Sequence, residues 1–195
     1  MGTSLWLVPD FETESPRLER IMSQKTDTAK SPSSFPHFHP HVTLATVPSS
    51  TPESVLRSAI AASQPRVPVK FRSVDVGDKY FMSVYVTAQR TPELVQLREH
   101  LSKTLGDKTV PPVAHLSLFY IDDSDVAERV KIAASLREQG RVIDGPERGS
   151  VQLDCTEGDA RGEDLLGGIA GHEIWIMECD GPVETWRRLG DRIVL

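Results

Sequence analysis

The sequence predicts an α+β fold of two similar lobes facing each other across a cleft, and three observations predict it. First, the order strand, helix, histidine strand, helix, strand runs over Ser4–Val76 and recurs over Tyr80–Thr156. Second, His41 and His115 occupy the same place in each copy. The flanking elements repeat at nearly the offset between them: the helix near Thr51 answers the one near Ser124, and the strand near Leu5 answers the one near Val84. Third, each histidine opens a segment of the form His-apolar-hydroxyl-Leu, His41-Val42-Thr43-Leu44 and His115-Leu116-Ser117-Leu118. The repeat is one of pattern rather than of residues. Each lobe can bury its sheet against its own helices and the other lobe, so two copies suffice. A chain of 195 residues forms one substantial core. It is expected to be a single domain over 1–195, with lobe-forming repeats of approximately 4–76 and 80–156 and C-terminal strands and a helix over 173–195.

Taken in order, Ser4–Val8 reads as a strand stopped by Pro9, and Ser15-Pro16 opens a helix with a cap and a proline in its first turn. Ser31–Pro40 carries three prolines and reads as a loop; His41–Val47 is a β-branched strand stopped by Pro48. Thr51-Pro52-Glu53 starts a helix reaching about Ser63. Val67–Val76 is a strand turning at Gly77-Asp78 into a second strand, Tyr80–Ala88. Thr91-Pro92-Glu93 starts another helix, closed by Gly106. Ala114–Ile121 is a strand, and Ser124 caps a helix with apolar Val126, Val130, Ile132, Ala133 and Leu136, followed by Gly140. Val151–Thr156 and Ile174–Glu178 read as strands around a glycine-rich mobile loop, Gly158–Gly171. A short helix over Val183–Leu189 and a strand over Ile193–Leu195 close the chain.

Composition bounds the function. The hydrophobic share of 38% and charged share of 26% are those of a soluble globular protein. A formal net charge of −6 without a Lys/Arg run argues against DNA and long RNA, which need a basic stripe, and leaves a small nucleotide as the fitting partner of a monomer. No stretch approaches the roughly 18 apolar residues of a membrane span. The N-terminus from Met1 to Asp10 lacks the basic region and long apolar run of a signal peptide. The expected location is cytoplasmic, compatible with peripheral attachment to an internal membrane such as the Golgi. Cys155 and Cys179 lie in apolar stretches and read as buried free thiols.

The chemistry lies in the paired motifs. Residues i and i+2 of a strand share a face, so His41 with Thr43, and His115 with Ser117, enter the cleft while Val42, Leu44, Leu116 and Leu118 enter the core. Two imidazoles with pKa values near neutrality can act as general base and general acid in one reaction. Two hydroxyls can hydrogen-bond the non-bridging oxygens of a phosphate, where charge gathers in the transition state. That set suits phosphodiester hydrolysis without metal or cofactor.

The HVTL and HLSL motifs resemble those of the 2H phosphoesterase superfamily. Within it, the opening SLWLVP, the strand KYFMSVYV, the segment HLSLFY and the late strand EIWIMEC resemble the fungal and plant 2′,3′-cyclic-nucleotide 3′-phosphodiesterases, or cyclic phosphodiesterases. The resemblance implies two pseudo-symmetric lobes, each with an antiparallel sheet and helices, and an active site between them. It implies no metal, and opening of nucleoside 2′,3′-cyclic phosphates to 2′-phosphates. It also implies conversion of ADP-ribose 1″,2″-cyclic phosphate to the 1″-phosphate, a step downstream of tRNA splicing. By motif position it assigns His41 and His115 as catalytic, with Thr43 and Ser117 on the phosphate; the family's mechanism implies His115 as base and His41 as acid, an order that the near-symmetric motifs do not themselves select. Tyr120 joins them as a phosphate or ribose contact. Its odd offset from His115 points it away from the cleft unless the strand ends or bulges near Phe119.

Other readings compete. His37, His39 and His41 alternate and could share a face as a zinc site, but Pro36 and Pro40 interrupt them and no further ligand motif completes the set. The same fold could serve as a nucleotide-binding module, or as an RNA-end enzyme acting on a 2′,3′-cyclic end or a 2′,5′ linkage. Trp6, Phe81 and Trp175 could stack on a base, although an aromatic in a strand is usually core. His100 and His172 read as surface residues. The Ser31–Pro40 and Gly158–Gly171 loops are candidate lids on flexibility grounds.

Overall fold

A computed structural model describes residues 2–158 and 160–195. Met1 of the N-terminal stretch and Asp159 of the glycine-rich segment lie outside the described residues. The strands are β1 (Thr3–Val8), β2 (Val42–Val47), β3 (Val69–Lys79), β4 (Met82–Ala88), β5 (His115–Phe119), β6 (Val142–Asp144), β7 (Val151–Asp154), β8 (Leu165–Leu166), β9 (Gly168–Ile169), β10 (Glu173–Glu178) and β11 (Arg187–Val194). The helices are α1 (Ser15–Met22), α2 (Glu53–Ser58), α3 (Pro92–Leu105) and α4 (Val126–Glu138).

Eight strands form one antiparallel sheet in the order β11-β10-β1-β2-β5-β4-β3-β9. The histidine strands β2 and β5 are its central neighbours, joined through Val42 and Leu116. The two lobes are the halves of this sheet on either side of that junction. They do not coincide with the halves of the chain. The first repeat ends in β3, which crosses over to pair with β4 of the second, while β10, not Val151–Thr156, pairs with β1. The helices interlock the same way: α1 packs against β5, α3 against β2, α2 against β10 and α4 against β3. One core therefore runs beneath the whole sheet, from Leu5, Leu7, Val42 and Leu44 through Leu116 and Leu118 to Val84, Val86 and Phe71. Burial of a side chain of this size stabilises by about 1.5–3 kcal/mol, so neither half can keep its apolar face without the other.

Several local expectations are corrected. The β3–β4 hairpin turns at Tyr80-Phe81, and Gly77-Asp78 stay in β3, where the register shifts between Val76 and Lys79. Gly77 serves close approach, because a Cβ there would lie 2.1 Å from the Met82 carbonyl oxygen. Residues Val151–Asp154 form a separate three-stranded sheet with β6 and β8. Within the Gly158–Gly171 segment, residues 164–169 are structured: β8 pairs with β7 and β9 with β3, and Asp164 is held by Arg17 at 2.6 Å and Arg20 at 2.7 Å. Helix α2 stops at Ser58. A 3-10 turn over Asp123–Asp125, capped by the Asp122 side chain, precedes α4 in place of a Ser124 cap. Val126 and Val130 are exposed, and the buried face of α4 carries Ile132, Ala133, Leu136 and Arg129. The Arg129 guanidinium bonds the Ile121 carbonyl and Asp123, which turns that face inward. The Val183–Leu189 helix is a 3-10 turn over Val183–Thr185 followed by the edge strand β11, tied to β10 by Arg187–Glu178 and Arg192–Glu173 pairs.

The close approach at Gly77 can be checked. Gly77→Ala is expected to lower stability by about 1–3 kcal/mol through overpacking against the hairpin. Urea unfolding measures this, and an unchanged midpoint would contradict the tight β3–β4 contact.

Candidate active site

The site grows from the single β2–β5 junction. Antiparallel partners share a face, and Val42 pairs with Leu116. One residue further each way, that register sets His41 across from Ser117 and Thr43 across from His115. The histidines lie on one diagonal and the hydroxyls on the other. Diagonal positions of an antiparallel pair are about 7–8 Å apart, which leaves room for a phosphate between the rings. The strands part beyond this junction, and a cavity of about 440 Å³ opens over them. His41, Thr43, His115, Ser117 and Tyr120 all line it, so the structure brings every site residue expected from the sequence to one wall.

Both imidazoles are anchored alike. His41 Nδ1 lies 2.6 Å from the His39 carbonyl and His115 Nδ1 lies 3.0 Å from the Val113 carbonyl, each two residues upstream. A carbonyl oxygen can only accept, so Nδ1 carries a proton in both rings. His41 is buried and stacks face to face on Trp6, with ring centroids 3.5 Å apart and planes 7° apart. Burial pushes its pKa down to about 3, the His39 carbonyl opposes this, and His115 and His39 add to the depression. His115 is also shifted down by burial, opposed by the Val113 carbonyl and, more weakly, by the Phe81 carbonyl, with Arg98 as a further depressing charge. Tyr85 meets its ring edge-on at 5.1 Å. Before substrate binds, both rings are therefore neutral near pH 7.

The Ser117 hydroxyl donates to the Phe81 carbonyl at 2.9 Å. Thr43 sits opposite Trp6 in the β1–β2 register, where a bulge displaces the pairing. Tyr120 reaches the cavity because β5 ends at Phe119. Its ring stacks on Phe38 at 4.0 Å, and burial raises its pKa, so it remains a neutral hydroxyl.

Sequence reasoning passed over part of the wall. Trp186, Tyr80, Lys79, Pro111 and Cys179 line the cavity, and Trp6 and Phe81, weighed only as core or stacking residues, line it too. The signal for Trp6 was present: Ser4 and Trp6 alternate with Leu5 and Leu7, which are fully buried in the core. Trp186 gave no such signal, because its approach depends on the turn before β11. Trp175 lies outside the wall, beside His39 and beneath Arg188. The loop over 31–40 is pinned rather than free: Asp125 accepts from the Ser31 amide and the Ser34 hydroxyl, and Tyr80 donates to the Ser33 carbonyl. Among the described residues, neither candidate lid lines the cavity. His37, His39 and His41 do not converge, and no three metal-ligating side chains gather among the described residues. Cys155 and Cys179 are buried free thiols whose pKa values burial raises to about 11.

An antiparallel sheet with two histidine-x-hydroxyl strands at its centre is the fold of a 2H phosphoesterase, and solved structures share it. E. coli LigT complexed with NADP+ superposes at a TM-score of 0.56 and 15% identity over 100% of this chain and 97% of that one. E. coli LigT complexed with 3′-AMP does so at 0.54 and 15%, over 100% and 99%. The family model described as cyclic phosphodiesterase-like protein matches residues 1–194, and the chain belongs to that family of phosphoric diester hydrolases. A 2′,3′-cyclic-nucleotide 3′-phosphodiesterase of Yarrowia lipolytica is 28% identical over 98% of this chain and 99% of its own length. One from Phaeosphaeria nodorum is 26% identical over 98% of both. The cyclic phosphodiesterase of Arabidopsis thaliana is 30% identical over 61% of this chain and 65% of its own.

The depressed pKa of His41 makes stability depend on pH. The unfolded chain binds the proton first, near pH 6.5, and the folded one only near pH 3. Stability is thus intact above about pH 6.5 and is lost as pH falls from there toward 3. Urea midpoints of the wild type are expected to fall over this window, and His41→Phe, which keeps the stack on Trp6, is expected to lose part of the slope. An equal slope in the variant would show that His41 is not held neutral.

Proposed function

We propose that the chain hydrolyses nucleoside 2′,3′-cyclic phosphates to 2′-phosphates, and ADP-ribose 1″,2″-cyclic phosphate to the 1″-phosphate, by two-histidine general acid/base catalysis. The observation that carries the reading is the pair of imidazoles lining one cavity, each ring fixed by the same Nδ1–H bond to a carbonyl two residues upstream. The names of the fungal relatives support the substrate class.

In this reading the cyclic phosphate sits between the diagonals. Thr43 and Ser117 donate to its non-bridging oxygens, Ser117 exchanging its bond to the Phe81 carbonyl for one to phosphate. His115 takes the proton from the attacking water, a role that Arg98 favours by keeping this imidazole neutral. His41 gives a proton to the departing 3′-oxygen, leaving phosphate on the 2′-oxygen. Burial resists a charged His41, so the imidazolium forms only when the anionic substrate is seated. The Trp6 face beneath it and the His39 carbonyl favour that form. Phe81, Trp186 and Tyr80 border the same cavity and offer faces for the base or ribose. Tyr120 adds a neutral hydroxyl donor. A small substrate fits the cavity volume, and the working unit is a cytoplasmic monomer. No helix among the described residues is long and apolar enough to cross a membrane.

The test is turnover of both substrate types in the presence of chelator, with products resolved by phosphorus NMR. His41→Ala and His115→Ala are each expected to lower kcat by about 10²–10⁴-fold, and the product is expected to be the 2′-phosphate. Full activity in either variant, or loss of activity in chelator, would overturn the mechanism. A 3′-phosphate product would overturn the assignment of the leaving oxygen.

A further inference from the structure

A second cavity, of about 430 Å³, lies on the far side of His115. Its wall brings together Arg72 from β3, Arg90 from the β4–α3 connection and Arg98 from α3, with Thr87 and the segment Pro112–Ala114. Glu99 is the one carboxylate residue among the described lining residues. None of the three arginines is in an ion pair among the described residues, whereas Arg17, Arg20, Arg57, Arg129, Arg187 and Arg192 all are. Asp75 lies behind the wall, accepting from the Thr87 hydroxyl at 2.6 Å, so with Glu99 two carboxylates offset the three guanidinium groups in part and a positive excess remains, in a chain of net charge −6.

The position of the cavity gives it meaning. Pro111 borders the catalytic cavity and Pro112–Ala114 border this one, so the segment entering β5 is their shared wall. Thr87, on the wall of this cavity, pairs with His115, on the wall of the catalytic one, across the β4–β5 ladder, so these two wall residues sit one strand spacing apart, about 4.8 Å. Arg98 donates to the Pro111 carbonyl, and its Nη1 is buried without a partner. Burial and then Arg90 disfavour the charged form of Arg98, and Arg98 in turn disfavours a charged His115. Three like charges facing one cavity repel one another, and an anion placed among them relieves the repulsion.

We propose that this cavity binds a second, non-reacting phosphate or diphosphate carried by the substrate, with Arg72 and Arg90 as its exposed contacts and Arg98 at its base. The inference rests on the cyclic-phosphate reading of the catalytic cavity and adds to it a preference for nucleotides that bear a further phosphate. Guanidinium groups suit this task because they donate in a planar fork to phosphate oxygens.

Two experiments test it with the full chain and the Arg72→Gln/Arg90→Gln double variant, whose exposed side chains make no structural bond in the described residues. The first compares kcat/KM for adenosine 2′,3′-cyclic phosphate with and without a 5′-phosphate. The wild type is expected to prefer the 5′-phosphorylated substrate, and the ratio of the two is expected to fall about ten-fold in the variant. The ratio cancels any general loss of activity, and an unchanged ratio overturns the subsite. The second titrates ADP into both proteins by calorimetry, with about ten-fold weaker binding expected in the variant. Equal affinities overturn the subsite even where neither cyclic phosphate is turned over. Weaker ADP binding without turnover would retain the anion site and remove the cyclic-phosphate reading instead.

Discussion

The pairing of β2 with β5 is the constraint on which the rest depends. It is short, and the strands separate beyond it, yet it fixes three things together. It joins two half-sheets into one sheet and places two histidines and two hydroxyls on crossing diagonals. By ending where it does, it also leaves the space above them open. The crossed packing beneath it, α1 under β5 and α3 under β2, makes this junction hard to loosen without exposing core on both sides. A site built on the centre of a sheet, rather than on loops, holds its groups in fixed relation, as proton transfer requires.

Electrostatics then sets the resting state. Burial removes charge from both imidazoles, and the carbonyls of His39 and Val113 fix which nitrogen holds the proton. Aromatic rings take the place of charged neighbours around His41: Trp6 beneath it and Phe38 edge-on at 6.2 Å. Apart from Lys79 on its wall, the free site therefore carries little charge of its own, and the substrate's anion is what allows one ring to become cationic. The excess positive charge lies to one side, in the arginine-lined cavity past His115.

Much of this was legible in the sequence because period-2 alternation is local. His41 with Thr43, and His115 with Ser117, declare a shared face within three residues, and the repeated order of elements declares two related units. What was not legible depends on contacts between distant segments. The exchange of β3 and β10 between the halves leaves no trace in either strand's own residues. The Gly158–Gly171 segment looked mobile because glycine permits many conformations, but Gly168 is there for close approach: a Cβ would lie 2.1 Å from the Val69 carbonyl oxygen. Gly77 misled in the same way, reading as a turn where it relieves a contact. Tyr120 was ambiguous because its direction depends on where β5 ends, and Trp186 gave no signal because β11 follows a 3-10 turn rather than a helix.

The central claim is that both histidines rest neutral, protonated on Nδ1, with Nε2 turned to the substrate. Nitrogen NMR of ¹⁵N-histidine-labelled protein tests it most directly, using long-range couplings to assign the tautomer of each ring at neutral pH. Two Nδ1–H tautomers in the free protein, with one ring becoming doubly protonated when a nucleoside 2′-phosphate is added, are the result expected here. An Nε2–H tautomer at either histidine, or an imidazolium already present in the free protein at neutral pH, would contradict it.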